Sequence, residues 1–101
     1  MTIVTRRFLL RDFTEGDRPA FLAYHADPRF LALYGPDEGA PGHGEALLQT
    51  FGRWARERPR RNFQLAAMHS GLQVLVGCCG LRRGGLEEWR AELGIEIASE
   101  Y

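Results

Sequence analysis

Lysine is missing from this 101-residue chain, and all thirteen basic residues are arginine. Genome composition or habitat produces that bias as readily as chemistry does, so no function is read from it. Thirteen acidic residues balance the arginines, and a net charge of zero points to neither a nucleic acid nor an anionic membrane as partner. Long hydrophobic runs are missing too. No stretch approaches the roughly 18 apolar residues of a membrane span, and Met1 to Arg7 lacks the apolar core of a signal peptide. These absences set the expectation of a soluble, cytoplasmic protein.

Cysteine is scarce. The only two, Cys78 and Cys79, are adjacent, a spacing that excludes a disulfide framework or a CxxC metal pair. In a strand they point to opposite faces, either as small filler on both sides of a buried strand or with one thiol facing a pocket. No Ser/His/Asp triad and no metal-ligand cluster is suggested, and the histidines His25, His43 and His69 read as structural.

What is present is globular: 45% apolar and 26% charged residues suit one domain with a modest core rather than a disordered chain. Val4 to Arg11 reads as a first strand. Thr14-Glu15-Gly16-Asp17 has capping-box spacing, while Asp17 as cap with Pro19 in the first turn is the alternative. Either start gives a helix over about Arg18 to Ala26 that buries Phe21 and Leu22, with His25 a further candidate for its buried face. Asp27-Pro28 is a second start signal, and Gly35 to Gly44 is loop. From Glu45 to Glu57, Leu47, Leu48, Phe51, Trp54 and Ala55 recur at helical spacing. The arginines Arg53, Arg56, Arg58, Arg60 and Arg61 at its end read as a solvated helix terminus or as a phosphate or RNA patch.

Asn62 to Met68 and Gln73 to Leu81 read as an antiparallel hairpin, with Gly77 and Gly80 marking a bulge or a close backbone approach. Arg82 to Trp89 is a polar connection. From Ala91 to Ala98 the chain alternates again: Ala91, Leu93, Ile95 and Ile97 share one face and Glu92, Gly94 and Glu96 the other, as in a core strand half-buried on its apolar side. The order is β-α-α-β-β-β, an α+β fold with a mainly antiparallel sheet of about four strands and two or three helices.

Three segments, T-R-R-F-L-L-R-D-F-T-E-G-D, L-V-G-C-C-G-L-R and R-A-E-L-G-I-E-I-A-S-E-Y, together resemble the GNAT acyltransferases, most closely the RimJ/RimL-like N-acetyltransferases. The resemblance implies acetyl transfer from acetyl-CoA to a primary amine, a protein N-terminus or a small molecule. It also implies a bulged strand whose open peptide groups face the thioester and the pantetheine arm. By position these are the groups around Glu96, Ile97 and Ala98. In that family a glycine-rich loop and helix then hold the pyrophosphate. Neither Gly84-Gly85 nor Gly35 to Gly44 has the strand-loop-helix context for that task, so the expectation is an incomplete, N-terminal GNAT-like domain over residues 1–101, poorly active alone.

For the proton acceptor, Glu92 and Glu96 lie two apart on one face. One of them accepts a proton through water if that face lines the acceptor cleft; otherwise both are solvated or paired with arginine. A different expectation is a non-catalytic half-domain, whose exposed last strand recruits a second copy or a complementing C-terminal half.

Overall fold

The computed structural model describes residues 1–34, 39–83 and 90–101. Gly35 and Pro36 at the start of the expected loop, and Gly84-Gly85 in the polar connection, lie outside the described residues.

The expected first strand is two. β1 (Thr2–Val4) and β2 (Phe8–Asp12) form a hairpin in the register Val4 to Leu9 and Ile3 to Leu10. The break is local: Thr5 N–H donates to the Phe8 carbonyl at 2.8 Å, and Phe8 N–H donates to the Thr5 hydroxyl at 3.0 Å. Among the described residues the sheet therefore has five antiparallel strands, in the order β1-β2-β3-β4-β5, rather than four. β3 (Asn62–His69) and β4 (Val74–Arg82) make the expected hairpin, and β5 (Glu92–Ile97) closes the row as an edge strand.

Both proposed helix starts are used in succession. Thr14 caps a single 3-10 turn, Glu15–Asp17, and its N–H donates to the Asp17 carboxylate at 2.7 Å. α1 (Arg18–Ala26) follows, with Pro19 in its first turn, where a missing N–H costs nothing. Asp17 is held from the sheet as well, by a two-pronged bond from Arg11 of β2 at 2.7 and 2.8 Å. α2 (Pro28–Leu31) begins where the Asp27 carboxylate accepts from Arg29 N–H at 2.9 Å. α3 (His43–Ala55) starts two residues before the spacing suggested, from Gly42 in the left-handed region at φ 79°.

The core is aromatic and lies on one face of the sheet. Phe21, Tyr24, Phe30 and Phe51 pack over Ala66 and Cys78, with Leu47, Leu48 and Trp54 of α3 at its margin. Part of the basic cluster is spent on internal contacts. Arg60 grips Asp12 at 2.7 and 3.1 Å and lies over the Phe63 ring, while Glu57 accepts from the Arg61 and Asn62 backbone.

On β5 the expected orientation is reversed. Leu93, Ile95 and Ile97 are 66%, 65% and 44% exposed, and the face carrying Glu96 is turned towards the helices. Alternation decides which residues share a face. Which face is covered depends on where the helices sit.

Candidate functional site

The last turns of α1 place Tyr24 and His25 side by side over β4 and β5. Both are buried, and their rings join the aromatic core through Phe21 and Phe30. From the sheet, Cys78 of β4 stands directly opposite Glu96 of β5. Three donors converge on one carboxylate oxygen: the Tyr24 hydroxyl at 3.1 Å, the Cys78 thiol at 2.9 Å and His25 Nε2 at 3.0 Å, all to Glu96 Oε1. An ionised carboxylate only accepts, so His25 carries its proton on Nε2. Gln64 Nε2 donates in turn to Cys78 Sγ at 3.1 Å. Glu96 Oε2 takes no hydrogen bond among the described residues.

Burial works to raise the Glu96 pKa, but the bonds from His25, Cys78 and Tyr24 outweigh it and hold the carboxyl below its ordinary value. Burial pushes both the Cys78 thiol and the Tyr24 hydroxyl well above their usual ranges, followed by the Glu96 charge for Cys78 and by Cys78 and then Glu96 for Tyr24. At neutral pH the arrangement is thus one carboxylate among proton-bearing donors. Cys78 is neither inert filler nor a reactive thiol. It is a hydrogen-bond donor to Glu96.

Glu96 opens onto a cavity of about 210 Å³, lined also by His25, Tyr34, Leu47, Phe51, Gln64, Arg82 and Gly94. Glu92, the second candidate, is not part of this site. Its side chain is 70% exposed, with Arg82 at 3.8 Å, which is the arginine-paired alternative. A larger cavity of about 560 Å³, between the 3-10 turn and α3, shares Phe51 with it but is not lined by Tyr24, His25, Cys78 or Glu96.

The expected bulge is not in β5. Its register with β4 is unbroken from Glu92 to Ile97, and Ala98 N–H still bonds the Val76 carbonyl at 2.8 Å. The register shift lies one pairing further in, between Ala67 and Met68 of β3. Because backbone groups alternate along an antiparallel ladder, the Ala98 bond puts the Ala98 and Glu96 peptide groups on the β4 side and turns those of Ile95 and Ile97 to the open edge. Of the three residues expected to offer peptide groups, Ile97 does so, through its edge position. Gly77 permits this close pairing, since a Cβ there would run into the Glu96 carbonyl oxygen.

Tyr24 and Gln64 escaped the sequence reading, which counted apolar spacing. The only signal was two adjacent hydrogen-bonding aromatics, Tyr24 and His25, on a helix that needed an apolar face. Neither His43 nor His69 joins the cluster. His69 Nδ1 accepts from Leu72 N–H at 3.0 Å in the β3-β4 turn, and His43 opens α3. Among the described residues no group of side chains could hold a metal ion, and no helix is long and apolar enough to cross a membrane.

The profile of the acetyltransferase (GNAT) domain matches residues 7–101. No curated protein matches. Among solved structures, an acetyltransferase from Agrobacterium tumefaciens is similar over the whole chain and 56% of its own length, at 22% identity and TM-score 0.73. A GNAT-family acetyltransferase from Bacillus anthracis is similar over the whole chain and 55% of its length, at 21% identity and TM-score 0.72. A ribosomal-protein-S5-alanine acetyltransferase from Vibrio fischeri is similar over the whole chain and 57% of its length, at 14% identity and TM-score 0.68. The chain therefore spans a little over half the length of the structures it matches.

Proposed function

The chain belongs to the acetyltransferase (GNAT) family, and from that premise we propose that it takes part in acetyl transfer from acetyl-CoA to a primary amine, with Glu96 as the group that receives the amine. The observation that carries this reading is the division of labour on one carboxylate. Oε1 is tied by three donors, Oε2 takes no hydrogen bond among the described residues, and Glu96 lines the cavity. An ammonium seated there gains a charge-assisted hydrogen bond. It can then lose its proton to Glu96, directly or through water, as its nitrogen attacks.

The cofactor arm fits the neighbouring edge. The Ile95 and Ile97 peptide groups open outward, and exposed Leu93, Ile95 and Ile97 offer an apolar border for a pantetheine-like chain. Acetyl-CoA supplies the activated acetyl group, and these residues would orient it beside the amine. Glu92 has no role in this proposal.

The test is an amide-resolved NMR titration with acetyl-CoA. Shifts should concentrate at Ile95, Ile97 and Ala98, with a rise in melting temperature at saturation. Saturating cofactor that moves none of these amides refutes the reading. The Vibrio fischeri structure, named for ribosomal-protein-S5-alanine acetylation, adds a ribosomal-protein alanine to the acceptors worth assaying.

The exposure of Leu93, Ile95 and Ile97 on an edge strand supports a second reading, in which β5 pairs with a second copy or a complementary segment. Sedimentation as a clean monomer at micromolar concentration would remove self-pairing.

A further inference from the structure

The acceptor cavity holds a positive group as well as a negative one. Arg82 of β4 stands opposite Glu92, and its guanidinium lies across the neighbouring strand at Gly94, where any Cβ would collide with Nη2. The missing side chain at Gly94 is the space this guanidinium fills. Its exposed pairing with Glu92, at 3.8 Å, is weak, and its Nε is buried without a partner among the described residues. Gly94 and Glu96 are two residues apart on the same face, about 7 Å along a strand. The cation beside Gly94 and the Glu96 carboxylate therefore border one small cavity, lined also by Tyr34, Leu47 and Phe51.

We infer that the acceptor is a zwitterion, a free α-amino acid with an apolar side chain. Its ammonium sits on Glu96, and its carboxylate sits on Arg82. This rests on the acetyl-transfer reading of the same site. In an α-amino acid the ammonium nitrogen and the carboxyl carbon are about 2.5 Å apart. Adding a hydrogen bond of about 2.8 Å at each end bridges about 8 Å, comparable with the strand step from Gly94 to Glu96. At about 210 Å³ the cavity falls below the roughly 300 Å³ at which ordinary ligand sites begin, so it excludes large polyamines and aminoglycosides. A peptide N-terminus brings the ammonium and no adjacent carboxylate, so it leaves Arg82 without its ligand.

Calorimetric or NMR titration of the chain with L-leucine, L-leucine amide and N-acetyl-L-leucine separates these cases. Free leucine should bind about tenfold to a hundredfold more tightly than either derivative, because each lacks one charge-assisted contact. Arg82→Gln should erase the preference for leucine over its amide, and Arg82→Lys, which keeps the charge, should restore part of it. Equal binding of leucine and its amide overturns the inference, as does a preference that survives in Arg82→Gln, or no binding by any of the three. Acetyl-CoA titrated into the same samples reports separately on the acetyl-transfer reading, since its contacts lie on the β5 edge and not at Arg82.

Discussion

Replacing Glu96 by alanine takes one acceptor from three donors at once. Tyr24, His25 and Cys78, exposed by only 5%, 4% and 1%, all end on Oε1. A buried donor left without a partner costs about 1–3 kcal/mol, with a thiol at the low end. Water entering from the adjoining cavity satisfies part of that loss. A destabilisation of about 3 kcal/mol follows, or a fall of about 12–24 °C in melting temperature for a chain of this size. Glu96→Gln behaves differently, because its carbonyl oxygen can stay where Oε1 was. Losing the charge weakens three bonds and also relieves the burial that opposed it, so the net cost is about 1 kcal/mol or less. Urea and thermal unfolding at pH 7, followed by far-UV circular dichroism, compare the two variants. Equal losses for both, or an alanine variant within about 1 kcal/mol of the parent, would refute the shared-acceptor account.

Four further outcomes follow from the same geometry. Asp17→Asn should cost about 2–3 kcal/mol in urea unfolding, because it breaks the Arg11 fork and the Thr14 contact at a buried carboxylate. Asp17 and Glu96 both have folded pKa values below their unfolded ones, so their stabilisation is present above about pH 4.5 and drains as pH falls through the folded values. An acid titration of the unfolding midpoint should show this, with a shallower slope in Asp17→Asn. Gly77→Ala should cost about 2–3 kcal/mol by overpacking against the Glu96 carbonyl, and unchanged stability would contradict the tight β4-β5 pairing. A chromogenic disulfide reagent at pH 8 should label Cys79 in the native chain and Cys78 only in urea, since burial and the Glu96 charge keep the Cys78 thiol protonated. Rapid native labelling of both would refute the cluster.

Much of the architecture was legible because its causes are local. Asp27-Pro28 announced α2 through one carboxylate and one fixed φ, and the spacing of Leu47, Leu48, Phe51 and Trp54 announced α3. The break at Thr5 to Arg7 was hidden because Thr5 closes that turn only when β1 folds back on β2. Thr14 and Asp17 looked like competing caps because a 3-10 turn leading into a helix uses each in turn. Glu96 stood out as an acidic residue inside an apolar strand. Its partners did not, since Cys78 lies 18 residues away, His25 71 and Tyr24 72.

The order of residues alone determined that Leu93, Ile95 and Ile97 share one side of the last strand and Glu92, Gly94 and Glu96 the other, because a pleated backbone alternates its side chains. It also determined the family, through motifs spread along the chain. Only the tertiary structure decided which side is enclosed. α1 lies over the acidic side, where three donors offset the burial of Glu96, and the apolar side is left outward along an open edge. Hydrophobicity ranks faces by preference, but the placement of a helix far away in sequence assigns them.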